Sequence, residues 1–115
     1  MYMTSFFLYI CPVTNQIKVM LSNKNFSGTY FHGHTITATY NELVEALGGK
    51  PQYTHGDKSN YDWVCETENG TVFTVYDWKE YRNFGDDEKI EWHIGAHDKQ
   101  KSSDAFFCVL DKLNA

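Results

Sequence analysis

Four of the five histidines form two closely spaced pairs that could bind a metal ion. His32 and His34 are separated by one residue. His93 and His97 are separated by three, and Glu91 precedes them. Side chains at alternate positions of a strand share a face, so each pair would point in one direction if its segment were a strand. Imidazole and carboxylate groups are ligands of zinc and iron, so pairing of the two strands would assemble a metal site.

The spacing of these histidines is nevertheless a weak metal signal. H-x-x-x-H is a strong pattern on a helix, and Gly95 within the second pair disfavours a helix. Histidines at the surface or hydrogen-bonded in a core are more common than metal ligands. We therefore expect no bound metal and no cofactor. A small metal- or nucleotide-binding protein or enzyme is the alternative, and it would use His32, His34, His93 and His97.

Two aspartates are the second candidates for chemistry. The hairpin register predicted below places Asp62 opposite Asp77, and Glu80 follows. Like charges in direct opposition destabilise a sheet unless they share a proton or hold a cation, and a hydrolase could use such a pair. The more ordinary interpretation, which we favour, is that the two strands have separated before they reach these residues.

Other catalytic signatures are absent from the sequence. It contains no G-x-S-x-G motif, no phosphate-binding glycine loop and no cysteine in an evident activating setting with a histidine. Ser102 and Ser103 are better explained as caps of a helix. The sequence therefore predicts that the protein is not an enzyme.

Residues 61–78 carry the strongest local structural signal, two strand-forming runs joined by Asn69-Gly70. Asn-Gly is the preferred centre of a two-residue type I′ turn, in which both residues have a positive φ. This turn predicts a hairpin in which Glu68 faces Thr71. The expected pairs on one face are Trp63–Tyr76, Cys65–Thr74 and Thr67–Val72, and those on the other are Val64–Val75 and Glu66–Phe73.

Aromatic and charged residues are interleaved at the end of this hairpin and in the loop that follows it. Tryptophan and tyrosine are enriched in the hot spots of protein interfaces, because they bury a large area at a low entropic cost. Each ring taken alone is more often a core residue, but charged neighbours favour an exposed edge here. The predicted partner-binding residues are Trp63, Tyr76, Asp77, Trp78, Glu80, Tyr81, Asp86, Asp87, Glu88 and Trp92.

The first helix has clear start and stop signals. Thr39 and Glu42 have the spacing of a capping box, in which each side chain accepts a hydrogen bond from the backbone of the other. Gly48-Gly49 and the nearby Pro51 predict that this helix ends after two turns.

The remaining elements occur in runs rather than as alternating strands and helices, which is typical of an antiparallel sheet. We predict a hairpin over residues 5–21, a strand over 29–38, the first helix, the central hairpin, a strand over 89–97 and a final helix. The order βββαβββα predicts a single α+β domain over residues 1–115. Its antiparallel sheet would have about five to six strands, with two short helices packed on it.

Composition limits the classes of partner. The net charge is −5, and proteins that bind nucleic acid need a basic stripe to neutralise phosphates, so direct nucleic-acid binding is not expected. The apolar run from Phe6 to Cys11 is too short to cross a bilayer, so no membrane association is expected. Cys11, Cys65 and Cys108 are odd in number and widely spaced, which favours free, buried thiols in a reducing cytosol.

Several of these residues form one pattern: Trp63, Asn69-Gly70-Thr71, Tyr76-Asp77-Trp78-Lys79 and Glu91-Trp92-His93-Ile94-Gly95. Together with the short helix, they resemble a group of small proteins of tailed bacteriophages that share a "W…DGT…YDWK" hairpin and an "EWHIGG"-like strand. Ala96 stands where the group has its second glycine. The resemblance implies a phage origin and carries no established activity. Small acidic phage proteins often bind and block host or defence proteins, including CRISPR effectors.

The sequence and the resemblance together predict a non-enzymatic phage protein that binds and modulates or inhibits a host or defence protein. We expect it in the host cytoplasm, as a monomer or homodimer. A minor structural protein of the virion is a further alternative, which the ordinary globular composition does not favour.

Overall fold

The computed structural model describes residues 19–56, 58–80 and 82–114, which form a six-stranded antiparallel sheet and two helices. The strands are β1 (Val19–Leu21), β2 (Tyr30–Ala38), β3 (Tyr53–Thr54), β4 (Tyr61–Thr67), β5 (Val72–Tyr76) and β6 (Ile90–Ala96). The helices are α1 (Tyr40–Leu47) and α2 (Lys99–Leu113). The predicted α+β class is confirmed. The short β3, between α1 and β4, was not predicted, and the part of the predicted hairpin before residue 19 lies outside the described residues.

Helix α1 begins and ends where the sequence predicts. Thr39 Oγ1 accepts a hydrogen bond from the N–H of Glu42 at 3.0 Å, and Glu42 Oε1 accepts one from the N–H of Thr39 at 2.8 Å. This reciprocal pair satisfies two backbone donors that a helix start leaves free. Gly48 follows the last turn with a φ of 91°, which glycine adopts without strain. Leu43 and Leu47 are fully buried and hold the helix against the core.

Helix α2 begins earlier than predicted. The cap is Asp98, whose Oδ1 accepts a hydrogen bond from the N–H of Lys101 at 2.8 Å, so the prediction of Ser102 or Ser103 as the cap is wrong. Aspartate is as good a capping residue as serine, and Asp98 stands two residues after the end of β6. The earlier start adds a turn and places Ser102 in the helix, where it is buried.

The turn of the central hairpin also differs from the prediction. The N–H of Thr67 donates to the carbonyl of Thr71 at 2.9 Å, so three residues, Glu68 to Gly70, form the loop. Gly70 has a φ of 90°, and Asn69 is not among the described residues with a positive φ. This is the three-residue hairpin loop that ends in a left-handed glycine, instead of the type I′ turn.

The register of the hairpin is therefore one residue away from the predicted register. Trp63 pairs with Val75, and Cys65 pairs with Phe73. This alignment gathers these four apolar side chains on one face, where all of them are fully buried. The predicted alignment would have set Trp63 beside Tyr76 and left Phe73 with Glu66. Burial of a continuous apolar face outweighs the local preference of an Asn-Gly pair.

The core lies between the sheet and the two helices. Trp63 and Trp92 meet edge to face there, with ring centroids 5.3 Å apart. Each indole N–H donates to a backbone carbonyl at 2.9 Å, that of Trp63 to Gly49 and that of Trp92 to Ala38. Both side chains are fully buried, so they hold the fold together from its centre.

The order of the strands forces one segment to cross the sheet. The order is β1-β4-β5-β6-β2, with β3 beside β4, so the sequence neighbours β1 and β2 lie at opposite ends of the main row. Four strand spacings separate them, roughly 19 Å. Residues 22–29, here called the crossing segment, can span at most about 30 Å, so they must run across the sheet. The helices cover one face, and the crossing segment runs over the other, here called the open face.

A glutamine side chain completes the edge of β4. β1 pairs with the end of β4 and β3 pairs with its start, which leaves Val64 between them. The Gln52 amide fills this gap, because its Oε1 accepts from the N–H of Val64 at 2.9 Å and its Nε2 donates to the Val64 carbonyl at 2.8 Å. The same Nε2 donates to the carbonyl of Ser22 at 3.1 Å, which joins this loop to the crossing segment.

The described cysteines agree with the predicted free, buried thiols. Cys65 and Cys108 are unpaired and buried. Burial raises the pKa of both thiols, that of Cys108 to about 11, so neither is ionised near neutral pH. Cys11 lies outside the described residues.

Neither helix in the described residues combines the length and the apolar character that a bilayer span requires.

Candidate functional site

A pocket of about 490 Å³ opens on the open face of the sheet. Its floor is formed by β4 and β5, and its walls come from the crossing segment, from β3 and from the loops before β4 and after β5. The lining residues are Phe26, Thr29, Tyr53, Thr54, Gly56, Ser59, Asp62, Val64, Thr74, Tyr76 and Trp78. The volume is within the range of roughly 300–1,000 Å³ that is typical of ligand pockets.

Three aromatic side chains at the mouth of this pocket are partly exposed. Trp78 is 40% exposed, Tyr53 51% and Phe26 37%. Phe26 and Tyr53 pack together with ring centroids 5.5 Å apart, and the half-buried Tyr76 meets Trp78 edge to face at 6.2 Å. Rings arranged in this way present apolar area to solvent and remain fixed in direction by their neighbours.

The aromatic surface continues beyond the pocket along the open face. His93 stacks on Trp78 with ring centroids 6.2 Å apart, and Phe31 stacks in turn on His93 at 4.2 Å. Desolvation lowers the pKa of His93, and the charge of Glu91 partly opposes this shift. Burial therefore favours the neutral ring. The open face therefore presents a continuous row of rings from Phe31 to Trp78.

A buried carboxylate fixes the loops that form the pocket walls. Asp77 is fully buried. Its oxygens accept hydrogen bonds from the N–H and the side-chain Nδ2 of Asn60 and from the N–H of Tyr61, each with a contact at 2.9 Å. Asn60 Nδ2 also donates to the carbonyl of Glu80 at 2.7 Å. Asp77 therefore ties the loop before β4 to the loop that carries Trp78.

A second link is made directly by the backbone. The N–H of Lys79 donates to the carbonyl of Lys58 at 2.8 Å, and Lys79 has a φ of 56°, so the chain turns sharply after Trp78. The ammonium groups of Lys58 and Lys79 lie 5.6 and 5.3 Å from the centroid of the Trp78 ring. Both distances are within the range of cation–π attraction.

Asp62 is the one charged residue among the described residues that line the pocket. Desolvation by burial raises the pKa of its carboxyl, and the charge of Asp77 raises it further, while a hydrogen bond from Ser59 opposes the shift. Ser59 Oγ donates to Asp62 Oδ2 at 2.9 Å. Within the described residues, Asp62 forms no ion pair. The pocket thus contains a partly desolvated carboxyl group, and no described residue supplies a counter-ion for it.

Asp62 and Asp77 do not face each other, as the favoured interpretation expected, but the reason is the register of the hairpin and not a separation of its strands. With the observed register, Asp62 pairs with Tyr76 on one side and with Tyr53 on the other. Asp77 follows the end of β5 and points inward to its amide donors, and Glu80 lies near Arg82, 3.5 Å from its Nε. The two aspartates influence each other electrostatically but do not face each other as a catalytic pair would.

The four histidines of the sequence pattern do not converge. His32 Nε2 lies 3.0 Å from the carbonyl oxygen of Ala96, and His34 Nδ1 lies 2.8 Å from Ser102 Oγ on the helix side. His93 is on the open face, and His97 lies against Gly28 of the crossing segment. In the part of the chain that the structure describes, no group of three or more potential ligands is arranged to hold a metal ion.

The predicted partner-binding residues do not form one surface. Trp63, Asp77 and Trp92 are fully buried and do not contribute to any surface, because the two indoles pack together in the core and Asp77 turns inward to its amide donors. Tyr76 and Trp78 line the pocket. Tyr81 lies outside the described residues.

The acidic residues of that prediction lie elsewhere. Asp87 Oδ1 accepts a hydrogen bond from Asn41 Nδ2 at 2.9 Å, and the carbonyl of Asp86 accepts one from the N–H of Asn41 at 3.1 Å. Glu88 forms an ion pair with Arg82 at 2.5 Å. This loop is therefore attached to the start of α1, on the helix side, and does not extend the pocket.

Sequence reasoning missed the pocket walls that come from the crossing segment and from β3. Phe26 and Tyr53 are large aromatic residues in otherwise polar, glycine-containing segments. An aromatic ring in such a segment has no place in a local helix or strand pattern, and that mismatch is the signal that could have identified both residues. Their proximity to Trp78 follows from the path of the crossing segment, which no local pattern encodes.

Comparison with known proteins gives no family for this chain. It matches no protein-family model, and no curated protein sequence matches it.

Proposed function

We propose that this chain is a non-enzymatic binding protein that holds a partner protein through the pocket on its open face. The observation that carries this proposal is the cluster of Phe26, Tyr53 and Trp78, three partly exposed rings around one concave site. Exposed apolar clusters of this kind mark interaction sites, because they reduce solubility unless something covers them.

The composition of the cluster fits an interface better than a random surface. Tryptophan and tyrosine dominate interface hot spots, and such hot spots sit in pockets that become dry on binding. The floor of the pocket, Val64 and Thr74, is already nearly closed to solvent. A side chain of a partner that entered the pocket would therefore bury the three rings with little rearrangement of the sheet.

The identity of the partner is proposed from the resemblance to small phage proteins. We propose that the partner is a host or defence protein and that binding modulates or inhibits it. The net charge of −5 supports a partner with a basic surface, because opposite charge speeds association.

A small ligand is the second candidate for this pocket. Its volume and its mixture of apolar walls with a few hydroxyl groups are typical of small-molecule sites. A molecule that co-purifies with the folded protein and is released by Trp78→Ala would favour this candidate over a protein partner.

Affinity purification from cells of the native host tests the main proposal. The tagged wild-type chain would be compared with Trp78→Ala and Tyr53→Ala, which remove rings from the pocket. Phe107→Ala is the matched control, because Phe107 is a 60% exposed ring on α2, away from the open face. We expect a protein that is retained by the wild type and by Phe107→Ala and is lost with both pocket variants.

The acidic loop gives a second arm of the same experiment. Asp86→Lys with Asp87→Lys reverses charge beside α1, and we expect it to leave the retained protein unchanged. A partner lost with this double variant but kept by Trp78→Ala would move the binding surface to the helix side and contradict the proposal.

A further inference from the structure

We propose that the pocket accepts a guanidinium group, with Asp62 as its counter-ion and the rings of Tyr76 and Trp78 as the aromatic wall beside it. The group would come from an arginine side chain of the partner protein. This source rests on the proposed function, whereas the affinity of the pocket for a guanidinium group does not.

The charge inside the pocket favours a cation. Asp62 is the one charged group among the described lining residues, and the remaining lining residues are aromatic, aliphatic, glycine or hydroxyl-bearing. Asp62 Oδ2 accepts a hydrogen bond from Ser59, and no described residue donates to Oδ1. A cation in the pocket would supply the missing donors to a carboxylate that is partly withdrawn from water.

The shape of the group is argued from the rings. A guanidinium ion is planar, donates two parallel hydrogen bonds to a carboxylate and stacks on aromatic faces. The pocket offers both features, since Tyr76 and Trp78 line it together with Asp62. The hydroxyl groups of Thr29 and Thr54 could accept the remaining N–H donors.

An ammonium group fits less well. Lys58 and Lys79 already place ammonium groups over Trp78, yet neither lines the pocket or pairs with Asp62. Ammonium is compact and strongly hydrated, whereas guanidinium is weakly hydrated and is the usual cation in partly dry sites. The two lysines would repel an incoming cation at the rim, so neutral replacements such as Lys58→Met should strengthen binding.

A titration with three small probes tests the inference without any partner protein. The probes are the N-acetyl N-methylamides of arginine, lysine and citrulline, of which citrulline is the neutral isostere of arginine. Tryptophan fluorescence of the full chain is the readout, because Trp78 is exposed while Trp63 and Trp92 are buried. We expect saturable arginine binding with a Kd on the order of 1 mM, as is usual for so small a ligand. Citrulline should bind at least about tenfold more weakly, and lysine should fall between the two.

Two variants separate the effect of the Asp62 charge from the effect of removing a negative charge elsewhere on the same face. Asp62→Asn should reduce the preference for arginine over citrulline to less than about twofold, because the neutral amide no longer attracts the cation. Glu91→Gln removes the same charge from an exposed position on the same face and should leave that preference within about twofold of the wild type. Urea unfolding of both variants verifies that they are folded.

Several results would overturn the inference. These are equal binding of arginine and citrulline, stronger binding of lysine than of arginine, a preference that survives Asp62→Asn, or no saturable arginine binding at concentrations far above the expected Kd. If one of these results were obtained but a partner protein was still lost with Trp78→Ala, the inference about guanidinium would be wrong and the proposed function would still be supported. Arginine binding without any Trp78-dependent partner would support the pocket chemistry and contradict the protein partner.

Discussion

At the scale of single residues, two neighbouring carboxyl groups have opposite environments. Asp77 is fully buried and accepts from three donors on Asn60 and Tyr61. Asp62 is half-buried and accepts from Ser59 alone among the described residues. The hydrogen bonds of Asp77 stabilise its position, whereas burial of Asp62 disfavours its charged form. The first is a structural group, and the second is available to a ligand.

Replacement of Asp77 should destabilise the fold. Asp77→Ala leaves the amide groups of Asn60 and Tyr61 without their acceptor in a site closed to water, and we expect a loss of about 3 kcal/mol in the free energy of unfolding. Urea denaturation measures this loss. Asp86→Ala, at an exposed position, is the control and should change stability by less than about 0.5 kcal/mol. Equal effects of the two substitutions would refute the structural role of Asp77.

Replacement of Asp62 should have the opposite effect on stability to replacement of Asp77. Burial raises its pKa in the folded chain above the unfolded value, so the folded state binds the proton more tightly and the ionised form lowers stability. This penalty is present above the folded pKa and disappears as the pH falls below the unfolded value of about 3.9. Asp62→Asn should therefore raise the melting temperature at pH 7, and the gain should vanish near pH 3.

The exposed Glu91 provides the comparison for this pH dependence. Glu91→Gln removes the same charge, and we expect little change in melting temperature at pH 7. A melting temperature of Asp62→Asn that is lower than that of the wild type at pH 7 would show that the carboxylate stabilises the fold. A binding group that is kept at a cost to stability is typical of functional sites.

At the scale of elements, the contact between β5 and β6 depends on a glycine. A Cβ added to Gly95 would lie 2.6 Å from Thr74 Oγ1 and 3.5 Å from Tyr76 Cε1. Atoms at the first distance overlap, so one strand must move or the threonine must rotate. Because Thr74 and Tyr76 also line the pocket, this close packing connects the sheet to the site.

Gly95→Ala should therefore destabilise the fold by about 1–3 kcal/mol. Thr74→Ala removes the overlapping oxygen, so in the double variant the cost of the alanine should fall by about 1 kcal/mol. A double-mutant cycle from urea unfolding measures this coupling. Strictly additive losses would show that the two residues do not press against each other.

The elements also show which features a sequence can predict. Helix α1 and the strands β2 and β6 were predictable, because their signals are local: a capping box before α1 and alternating apolar residues in β6. The hairpin register was not, because the same Asn69-Gly70 pair fits two loop types. The choice between them depends on which alignment buries Trp63 with Phe73 and Val75, and this requires the whole core.

The site was less predictable than the fold. Trp78 and Tyr76 were predicted to bind a partner from their setting at the end of the hairpin, and both line the pocket. Trp63 and Trp92, which were included in the same prediction, are buried. Sequence alone does not distinguish a ring that fills the core from one that lines a pocket. Phe26 and Tyr53 were missed because their role depends on where the crossing segment and β3 lie in space.

At the scale of the whole molecule, the crossing segment gives the two faces of the sheet different roles. The helices close one face and form the core with it. On the other face, the crossing segment and the loop before β4 enclose a pocket without filling it. The strand order therefore explains the site: a chain that must pass from one edge of the sheet to the other leaves concave space beside its path.

The three tryptophans allow the central claim to be measured directly. Each indole N–H gives its own signal in a ¹H–¹⁵N spectrum, and those of Trp63 and Trp92 are bonded to backbone carbonyls in the core. On addition of the N-acetyl N-methylamide of arginine, we predict that the Trp78 indole signal and the backbone amides of Asp62 and Thr74 shift, while the two buried indoles stay in place. Shifts concentrated on α2 around Phe107, or no shift at Trp78, would contradict the assignment of the open face as the binding site.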